Sequence, residues 1–179
     1  LGGASAVVVV SLLRPDHLVE LEAQGYRERR GAGVTHQAAI RWDNLNSQTI
    51  SDVARSAGAA AFDPASGSVF IFGGFDSSVA VGGLIQFNGR RYSRVETAGD
   101  VPSARDGATL TYVPSLRRLL LVGGLPNDDA PPSSEVWLFD PETSRWSRSD
   151  DIPIGRWLHA AVYDPELDRV VVTGGCRGP

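Results

Sequence analysis

A pair of glycines that follows a largely apolar tetrad recurs along the chain, and this feature limits the possible folds most strongly. The tetrads occupy residues 69–72, 119–122 and 170–173, and the glycine pairs that follow them start 50 and 51 residues apart. A nearly constant interval of this size indicates a repeat protein in which each repeat is one unit of supersecondary structure.

Two further sets of residues keep the same interval. Arg55, Arg105 and Arg156 each open a segment of small and apolar residues. An aromatic residue precedes each of these arginines by 13, 13 and 10 residues, namely Trp42, Tyr92 and Trp146. Three unrelated markers in one register make a repeat of about 50 residues a specific interpretation.

The pattern within each repeat predicts four short antiparallel strands. The first strand is rich in small residues, and the second is a continuous β-branched or aromatic run, as expected for a strand buried on both faces. Between them, residues 63–67 and 164–168 are turn sequences, because proline presets φ and glycine or aspartate accepts a left-handed backbone. A third strand is predicted at 84–87 and 136–139, followed by a fourth strand that carries the aromatic residue. Such a unit, repeated, is typical of a propeller blade.

A weaker copy of the repeat is predicted at the amino end. Shifting the register by 50 residues without gaps places a first strand at 6–13, a turn at 14–17 and a second strand at 18–22. We therefore expect one partial propeller over residues 1–179, with a degenerate repeat at about 5–54, repeats at 55–104 and 105–155, and an incomplete repeat at 156–179.

These residues resemble Kelch repeats, which have an arginine-led first strand, a Gly-Gly pair and an aromatic residue ending the fourth strand, as in residues 139–146. The resemblance is strong over residues 54–175 and weak over 6–53. It implies an all-β fold, a Kelch-type β-propeller with about three and a half four-stranded blades of a larger ring. Because propellers close with about 4–8 blades, we expect the rest of the chain or neighbouring chains to supply the remaining blades.

The candidate binding site lies at one mouth of the central channel. In an antiparallel meander, the loop before the first strand and the loop after the second emerge on the same side, so the three arginines should meet there. Acidic residues dominate these loops: Asp52, Asp76, Glu96, Asp100, Asp128, Asp129, Glu135, Asp150 and Asp151. The candidate partner-binding residues are Arg55, Arg105, Arg156, Phe75, Asp76, Leu125, Asp128, Asp129 and Trp157.

Each of these candidates has a plainer alternative. The arginines could bind neighbouring carbonyls or aspartates between blades, and the acidic loops could be ordinary solvated surface. The glycine pairs lack the spaced glycines and the lysine of a phosphate-binding loop, so we expect close backbone packing there. The three histidines, His17, His36 and His159, have no metal-ligand spacing. We therefore expect no catalytic residues, no metal ligands and no cofactor.

The favoured function is that of a non-catalytic scaffold or adaptor, a role that Kelch domains often have. Its partner would be another protein with a basic or mixed-charge segment, bound through the propeller loops.

The net charge of −4 argues against nucleic-acid binding. The apolar run at residues 6–13 is too short to span a membrane. The single cysteine, Cys176, favours a reducing compartment, and hence a cytoplasmic location.

Two alternatives remain. One is a copper-radical oxidase of the galactose-oxidase kind, which shares the Kelch propeller and, by that resemblance, would need His and Tyr ligands and a Tyr–Cys crosslink. The chain has Cys176 and four tyrosines, but no grouping that matches the positions of that family; the tyrosines are Tyr26, Tyr92, Tyr112 and Tyr163. The other alternative is a structural subunit of a large assembly, in which neighbours complete the arc of blades.

Overall fold

The computed structural model describes residues 55–76, 79–126 and 129–177, together with the backbone of two strands nearer the amino end. Every helix or strand that it describes is a β-strand. No helix in these segments is long and apolar enough to cross a bilayer. The chain divides into two compact units, Ala6–Ser47 and a second unit formed by Leu1–Ser5 with Gln48–Pro179.

The smaller unit contains one antiparallel strand pair. Strand β1 (Val8–Leu12) pairs with β2 (Ile40–Asn44), and Val10 lies opposite Trp42. The sequence pattern predicts a different neighbour for β1, a second strand at residues 18–22, which lies outside the described residues. The strand beside β1 is instead the one that carries the aromatic marker of the repeat.

The larger unit begins with a four-stranded antiparallel sheet in the order β3-β4-β7-β8, which is the predicted meander of the repeat at 55–104. A short pairing of β5 with β6 lies in the loop between its second and third strands. The strands are β3 (Ala59–Asp63), β4 (Ser68–Phe72), β5 (Phe75–Asp76), β6 (Val79–Ala80), β7 (Leu84–Phe87) and β8 (Tyr92–Val95).

A second four-stranded sheet and a two-stranded sheet follow. The four-stranded sheet has the order β9-β10-β11-β12, and the two-stranded sheet pairs β13 with β14. Their strands are β9 (Thr109–Val113), β10 (Arg118–Val122), β11 (Val136–Asp140), β12 (Arg145–Arg148), β13 (Ala160–Asp164) and β14 (Arg169–Thr173). The all-β prediction is confirmed, and the antiparallel four-stranded sheets are those of Kelch propeller blades.

The turns between first and second strands follow the predicted chemistry. In the first of them, the carboxylate of Asp63 accepts hydrogen bonds from the backbone amides of Ala65 (3.0 Å) and Ser66 (3.2 Å). The carboxylate of Asp164 does the same for Glu166 at 3.1 Å. An aspartate that binds the amide two residues later fixes the turn, which sets the pairing register of the two strands.

The hydrophobic core lies between the two four-stranded sheets. The ring of Phe70 on β4 is 5.6 Å from that of Phe139, and the ring of Phe72 is 5.4 Å from that of Trp146 in an edge-to-face arrangement. Tilted and edge-to-face pairs are favourable arrangements for aromatic rings. The aromatic residue of the fourth strand therefore serves to pack one blade against the preceding one.

The register of the larger sheets identifies the position of β1 within its repeat. Phe139 lies opposite Trp146 across the third and fourth strands, as Val10 lies opposite Trp42. Strand β1 thus takes the place of a third strand, whereas the gapless shift predicted a first strand. The two kinds of strand are both short and apolar, so a shift without gaps does not distinguish them.

Candidate functional site

The three repeated arginines make the same hydrogen bond. In each repeat, the guanidinium Nη1 donates to the carbonyl of the first glycine in the pair that lies 18 residues later. The distances are 3.0 Å for Arg55 to Gly73, 3.2 Å for Arg105 to Gly123 and 2.9 Å for Arg156 to Gly174. Each arginine therefore clamps the end of the second strand to the start of the first strand in its own blade.

The glycine pairs pack directly against the backbone of the next repeat. A Cβ atom at Gly73 would lie 2.3 Å from the carbonyl oxygen of Arg105, and the amide of Gly74 donates to that same oxygen at 2.9 Å. A Cβ atom at Gly123 would lie 2.4 Å from the carbonyl oxygen of Arg156. The prediction of close backbone packing at these glycines is confirmed, and it explains why no side chain fits there.

A ladder of backbone hydrogen bonds joins successive repeats at the mouth. The residue two positions after each arginine has a left-handed backbone, with φ of 51° at Ala57, 59° at Gly107 and 52° at Leu158. The amide of Gly107 donates to Ala57 at 3.0 Å, and the amide of Leu158 donates to Gly107 at 2.7 Å. We call the three segments 55–58, 105–108 and 156–159 the rim. The ladder was not predicted from the sequence, because only one of its three positions is a glycine.

Arg105 lies at the centre of a buried polar network. Its side chain is 1% exposed and forms an ion pair with Glu135. Its nitrogens also donate to the Ser103 carbonyl at 3.0 Å, the Ser103 hydroxyl at 2.8 Å and the Ser133 hydroxyl at 3.1 Å. A guanidinium with this many partners is held rigidly and supports the loop above it.

Glu135 connects this buried network to the surface. Its carboxylate accepts hydrogen bonds from the Trp137 indole at 3.0 Å and from Arg148 at 2.9 Å. Burial raises the pKa of Glu135, but the hydrogen bonds from Trp137 and Arg105 and the charges of Arg105 and Arg148 outweigh it, so its pKa lies below the ordinary value. Arg148 also pairs with Asp151. Some of the acidic residues predicted at the mouth are therefore neutralised within the protein.

Two of the predicted partner-binding residues are corrected by their burial. Arg105 is enclosed by its own network, and Leu125 is 4% exposed, so neither side chain can contact a partner. For the arginines, the alternative of binding neighbouring carbonyls is the one that these hydrogen bonds support.

The other predicted site residues fall into three groups. Asp76 and Asp129 are exposed on the loops after the second strands. Arg55, Arg156, Phe75 and Trp157 are partly buried around the rim. Asp52 and Asp128 lie outside the described residues. No observation tests partner contact at these residues, so their role stays a prediction.

The sequence interpretation missed the apolar residues exposed on this side of the blades. Val79 lies in the loop after the second strand, and Val101, Ile154 and Leu158 lie in the loops that lead to the next first strand. Leu158 is 55% exposed although it belongs to the rim. These residues have no repeat period, so the pattern of the repeat gives no signal for them.

His159, Cys176 and Tyr163, which could take part in chemistry, lie apart in the part of the chain that the structure describes. The Nε2 atom of buried His159 lies 2.8 Å from the Thr109 hydroxyl, and burial together with the charge of Arg156 lowers its pKa. Cys176 is exposed on the rim side, whereas Tyr163 binds Asp168 beside the turn at the opposite end of the β13–β14 pair. Within residues 55–76, 79–126 and 129–177, no group of three or more His, Cys, Asp or Glu could hold a metal ion.

Comparison with known proteins agrees with this architecture. The family profile described as the Kelch motif matches residues 109–153, which include all four strands of the second sheet. The tRNA wybutosine-synthesizing protein 4 of Saccharomyces cerevisiae is 29% identical over 125 residues, which are 65% of this chain and 17% of that protein. The chain thus spans less than a fifth of the length of this relative. Together with the arginine clamps, the glycine pairs and the four-stranded sheets in register, the Kelch motif at residues 109–153 supports the resemblance of this chain to the Kelch-repeat family.

Proposed function

We propose that the chain is a non-catalytic protein-binding module whose partner lies across the loops on the rim side. The observation that supports this most is the rim itself, where the same clamp occurs in three repeats and the backbone ladder links them. The bases of the loops are thereby fixed while their outer side chains stay exposed. A rigid frame that presents variable loops is a common arrangement for recognition.

The exposed side chains indicate the chemistry of the partner. Apolar residues on these loops, such as Val101 and Leu158, stand among exposed carboxylates. The exposed acidic residues on this side are Asp76, Glu96, Asp100, Asp129, Asp150 and Asp151. Apolar anchors supply affinity, and complementary charge supplies steering and selectivity. The partner we propose is a protein segment with basic residues around an apolar one, recognised by an adaptor or scaffold in the cytoplasm.

Two synthetic peptides test this proposal. They have the same length and the same apolar residues, but one carries lysine and arginine where the other carries glutamate. We expect the basic peptide to bind more tightly by fluorescence anisotropy, and its affinity to fall when the salt concentration is raised. Equal affinity for both peptides, or no dependence on salt, would contradict the proposal.

A matched pair of variants locates the binding surface. Leu158→Asp changes an exposed residue of the rim, and Leu116→Asp changes an equally exposed residue in the turn between β9 and β10 on the opposite side. We expect the first variant to weaken binding of the basic peptide at least tenfold and the second to leave it unchanged. Equal effects of the two variants would place the binding surface elsewhere.

A second candidate follows from the yeast relative, whose name assigns it to wybutosine synthesis in tRNA. The chain would then be a non-catalytic part of a tRNA-modifying enzyme. The acidic loops do not favour contact with phosphates, so this chain would act there through protein contacts. Binding of tRNA by the isolated chain in a gel-shift assay at low salt would favour direct RNA recognition over the peptide-binding proposal.

A copper oxidase and a structural subunit are the remaining candidates. Copper in the purified protein, measured by elemental analysis, would support the oxidase. The separation of Cys176 from Tyr163 at opposite ends of the β13–β14 pair counts against it. The mass of the native particle distinguishes a structural subunit from a free adaptor.

A further inference from the structure

An arginine on the outer strand of the second sheet is held by an indole and two carboxylates. Arg148 lies opposite Trp137 across β11 and β12, and its guanidinium carbon lies over the indole, 5.4 Å from the ring centroid. Its Nη1 donates to Glu135 at 2.9 Å, and its Nη2 donates to Asp151 at 2.5 Å. A planar cation that stacks on a ring and donates in two directions is a guanidinium, because an ammonium group lacks this fork. We call Glu135, Trp137 and Asp151 the arginine site.

Glu135 is positioned by residues other than Arg148. Its Oε2 atom accepts hydrogen bonds from the Trp137 indole at 3.0 Å and from the buried side chain of Arg105. Its Oε1 atom accepts the hydrogen bond from Arg148. One oxygen of this carboxylate is therefore fixed from within the protein, and the other is presented to the guanidinium at the surface.

Asp151 is positioned in the same way. Its Oδ2 atom accepts a hydrogen bond from the Ser134 hydroxyl at 2.7 Å, while Oδ1 accepts from Arg148. The backbone is fixed as well, since the amide of Ile152 donates to the Ser134 carbonyl at 2.9 Å. The hydrogen bonds from Arg148 and Ser134 lower the pKa of Asp151, and the pKa of Glu135 is also lowered, so both carboxylates are charged at neutral pH. The arginine site thus keeps its shape and charge without Arg148.

The repeat itself does not require the arginine site. The equivalent arginine of the preceding repeat is Arg94, which lies opposite Ile85 across β7 and β8. The residue before β7, in the place of the glutamate, is Gly83. That repeat therefore has the arginine without the indole or this carboxylate. The arginine belongs to the repeat, whereas the groups that surround Arg148 are particular to one blade, as expected for residues that serve recognition.

Arg148 is held at the surface, where another guanidinium can replace it. Its side chain is 43% exposed, and that of Asp151 is 44% exposed. Ion pairs between exposed side chains contribute little to stability, and exposed side chains change rotamer rapidly. Ile154, in the same loop as Asp151, is also exposed and offers an apolar contact. An arginine on a segment that buries this apolar surface as well can therefore compete with Arg148.

We propose that Glu135, Trp137 and Asp151 bind an arginine side chain of the partner protein, and that Arg148 fills this site until the partner arrives. The incoming guanidinium donates to Oε1 of Glu135 and Oδ1 of Asp151 and stacks on Trp137, while Arg148 turns to solvent. This inference rests on the proposed function, because it assigns one basic residue of the proposed partner segment to a defined place. It adds a preference for arginine over lysine, since the ammonium group of lysine is a point charge without the planar fork.

A small cation tests the arginine site without a partner. Arg148→Ala empties the site, and methylguanidinium chloride is titrated into the protein while the NMR signal of the Trp137 indole N–H is followed. We expect saturable binding that is roughly tenfold tighter than in the parent protein, because a site that is filled most of the time lowers the apparent affinity. Methylammonium should bind more weakly. Arg117→Ala is the matched control, because Arg117 is also exposed and pairs with Glu142 on the opposite side. Binding there should match the parent protein.

Two peptides test whether an arginine of the partner takes this place. They are the basic peptide described above, made with arginine alone or with lysine alone as the basic residue. We expect the parent protein to prefer the arginine peptide, and Arg148→Ala to bind it more tightly still. Asp151→Asn should reduce the preference, because one charged acceptor is lost. Glu142→Gln, which changes an exposed carboxylate on the opposite side, should leave the preference unchanged.

The outcomes separate this inference from the proposed function. Equal binding of methylguanidinium by the Arg148→Ala and Arg117→Ala variants, or equal affinity of the parent protein for the two peptides, would overturn the arginine site. Binding of methylguanidinium by Arg148→Ala without binding of either peptide would support the guanidinium site and contradict the protein-binding function. Binding of both peptides with no preference for arginine would contradict the arginine site alone.

Discussion

Substitution of Arg105 by methionine tests whether the repeated arginine is a structural clamp. Methionine keeps much of the apolar stem and removes the guanidinium, which is buried against Ser103, Gly123, Ser133 and Glu135. The substitution leaves these acceptors without a donor that is itself 1% exposed, and water can reach only some of them. We therefore expect a loss of stability and a movement of the loop that contains Ser133 and Glu135.

The size of the loss follows from the ion pair and its surroundings. Removing one partner of a buried ion pair costs about 3–5 kcal/mol, because the other charge is left uncompensated. Glu135 is 30% exposed and keeps its bonds to Arg148 and Trp137, so the cost should lie at the lower end, about 3 kcal/mol. A domain has about 5–15 kcal/mol of stability in total, so the effect is large enough to measure accurately.

The assay is equilibrium unfolding by urea, followed by tryptophan fluorescence. Arg156→Met is the matched control, since Arg156 donates one hydrogen bond to Gly174 at 2.9 Å and its repeat has no equivalent of the Glu135 pair in the described residues. Its loss should be about 1 kcal/mol. Adding Glu135→Gln to the Arg105 variant should restore part of the stability, because the uncompensated carboxylate is removed. A loss below 1 kcal/mol for Arg105→Met, or equal losses for both arginines, would refute the reasoning.

Two further predictions concern the glycine pair and pH. Gly73→Ala should lower the free energy of unfolding in urea by about 3 kcal/mol or more, because its methyl group would meet the backbone of Arg105. Gly67→Ala is the control: Gly67 has a similar φ and open space around it, so the loss there should be about 1 kcal/mol. Similar losses for the two variants would contradict the role given to close packing at Gly73. The pKa of His159 is lowered on folding, so the unfolded chain binds a proton first as the pH falls below the ordinary value of 6.5, and stability should decline from there until the folded pKa is passed. His159→Gln should remove this decline, which is measured by urea unfolding between pH 5 and 8. The pKa of Glu135 is also lowered on folding, so the parent protein should lose further stability as the pH falls below the ordinary value of 4.5. A parent protein whose stability does not change between pH 7 and pH 5 would contradict the account of His159.

The sequence predicts the parts of the fold that depend on local and periodic chemistry. The turns at Asp63 and Asp164 follow from side chains that bind their own backbone, and the glycine pairs follow from packing that every repeat needs. The functional side chains are harder to predict, because burial depends on residues from other strands. Nothing near Arg105 in the sequence indicates that Ser133 and Glu135, 28 and 30 residues later, would enclose it.

The misplacement of β1 shows where periodic reasoning stops. A first strand and a third strand are both short and apolar, so only the residue that lies opposite can distinguish them, and Val10 opposite Trp42 settles the matter for β1. The same argument separates constant from variable features at the rim. Positions that meet the backbone of the next repeat, such as Gly73 and Gly123, must keep their identity in every blade. Side chains that are largely exposed, such as that of Leu158, are freer to differ between blades. Selectivity for a partner should therefore reside in the residues without a repeat period, and these are the residues that a search for repeats passes over.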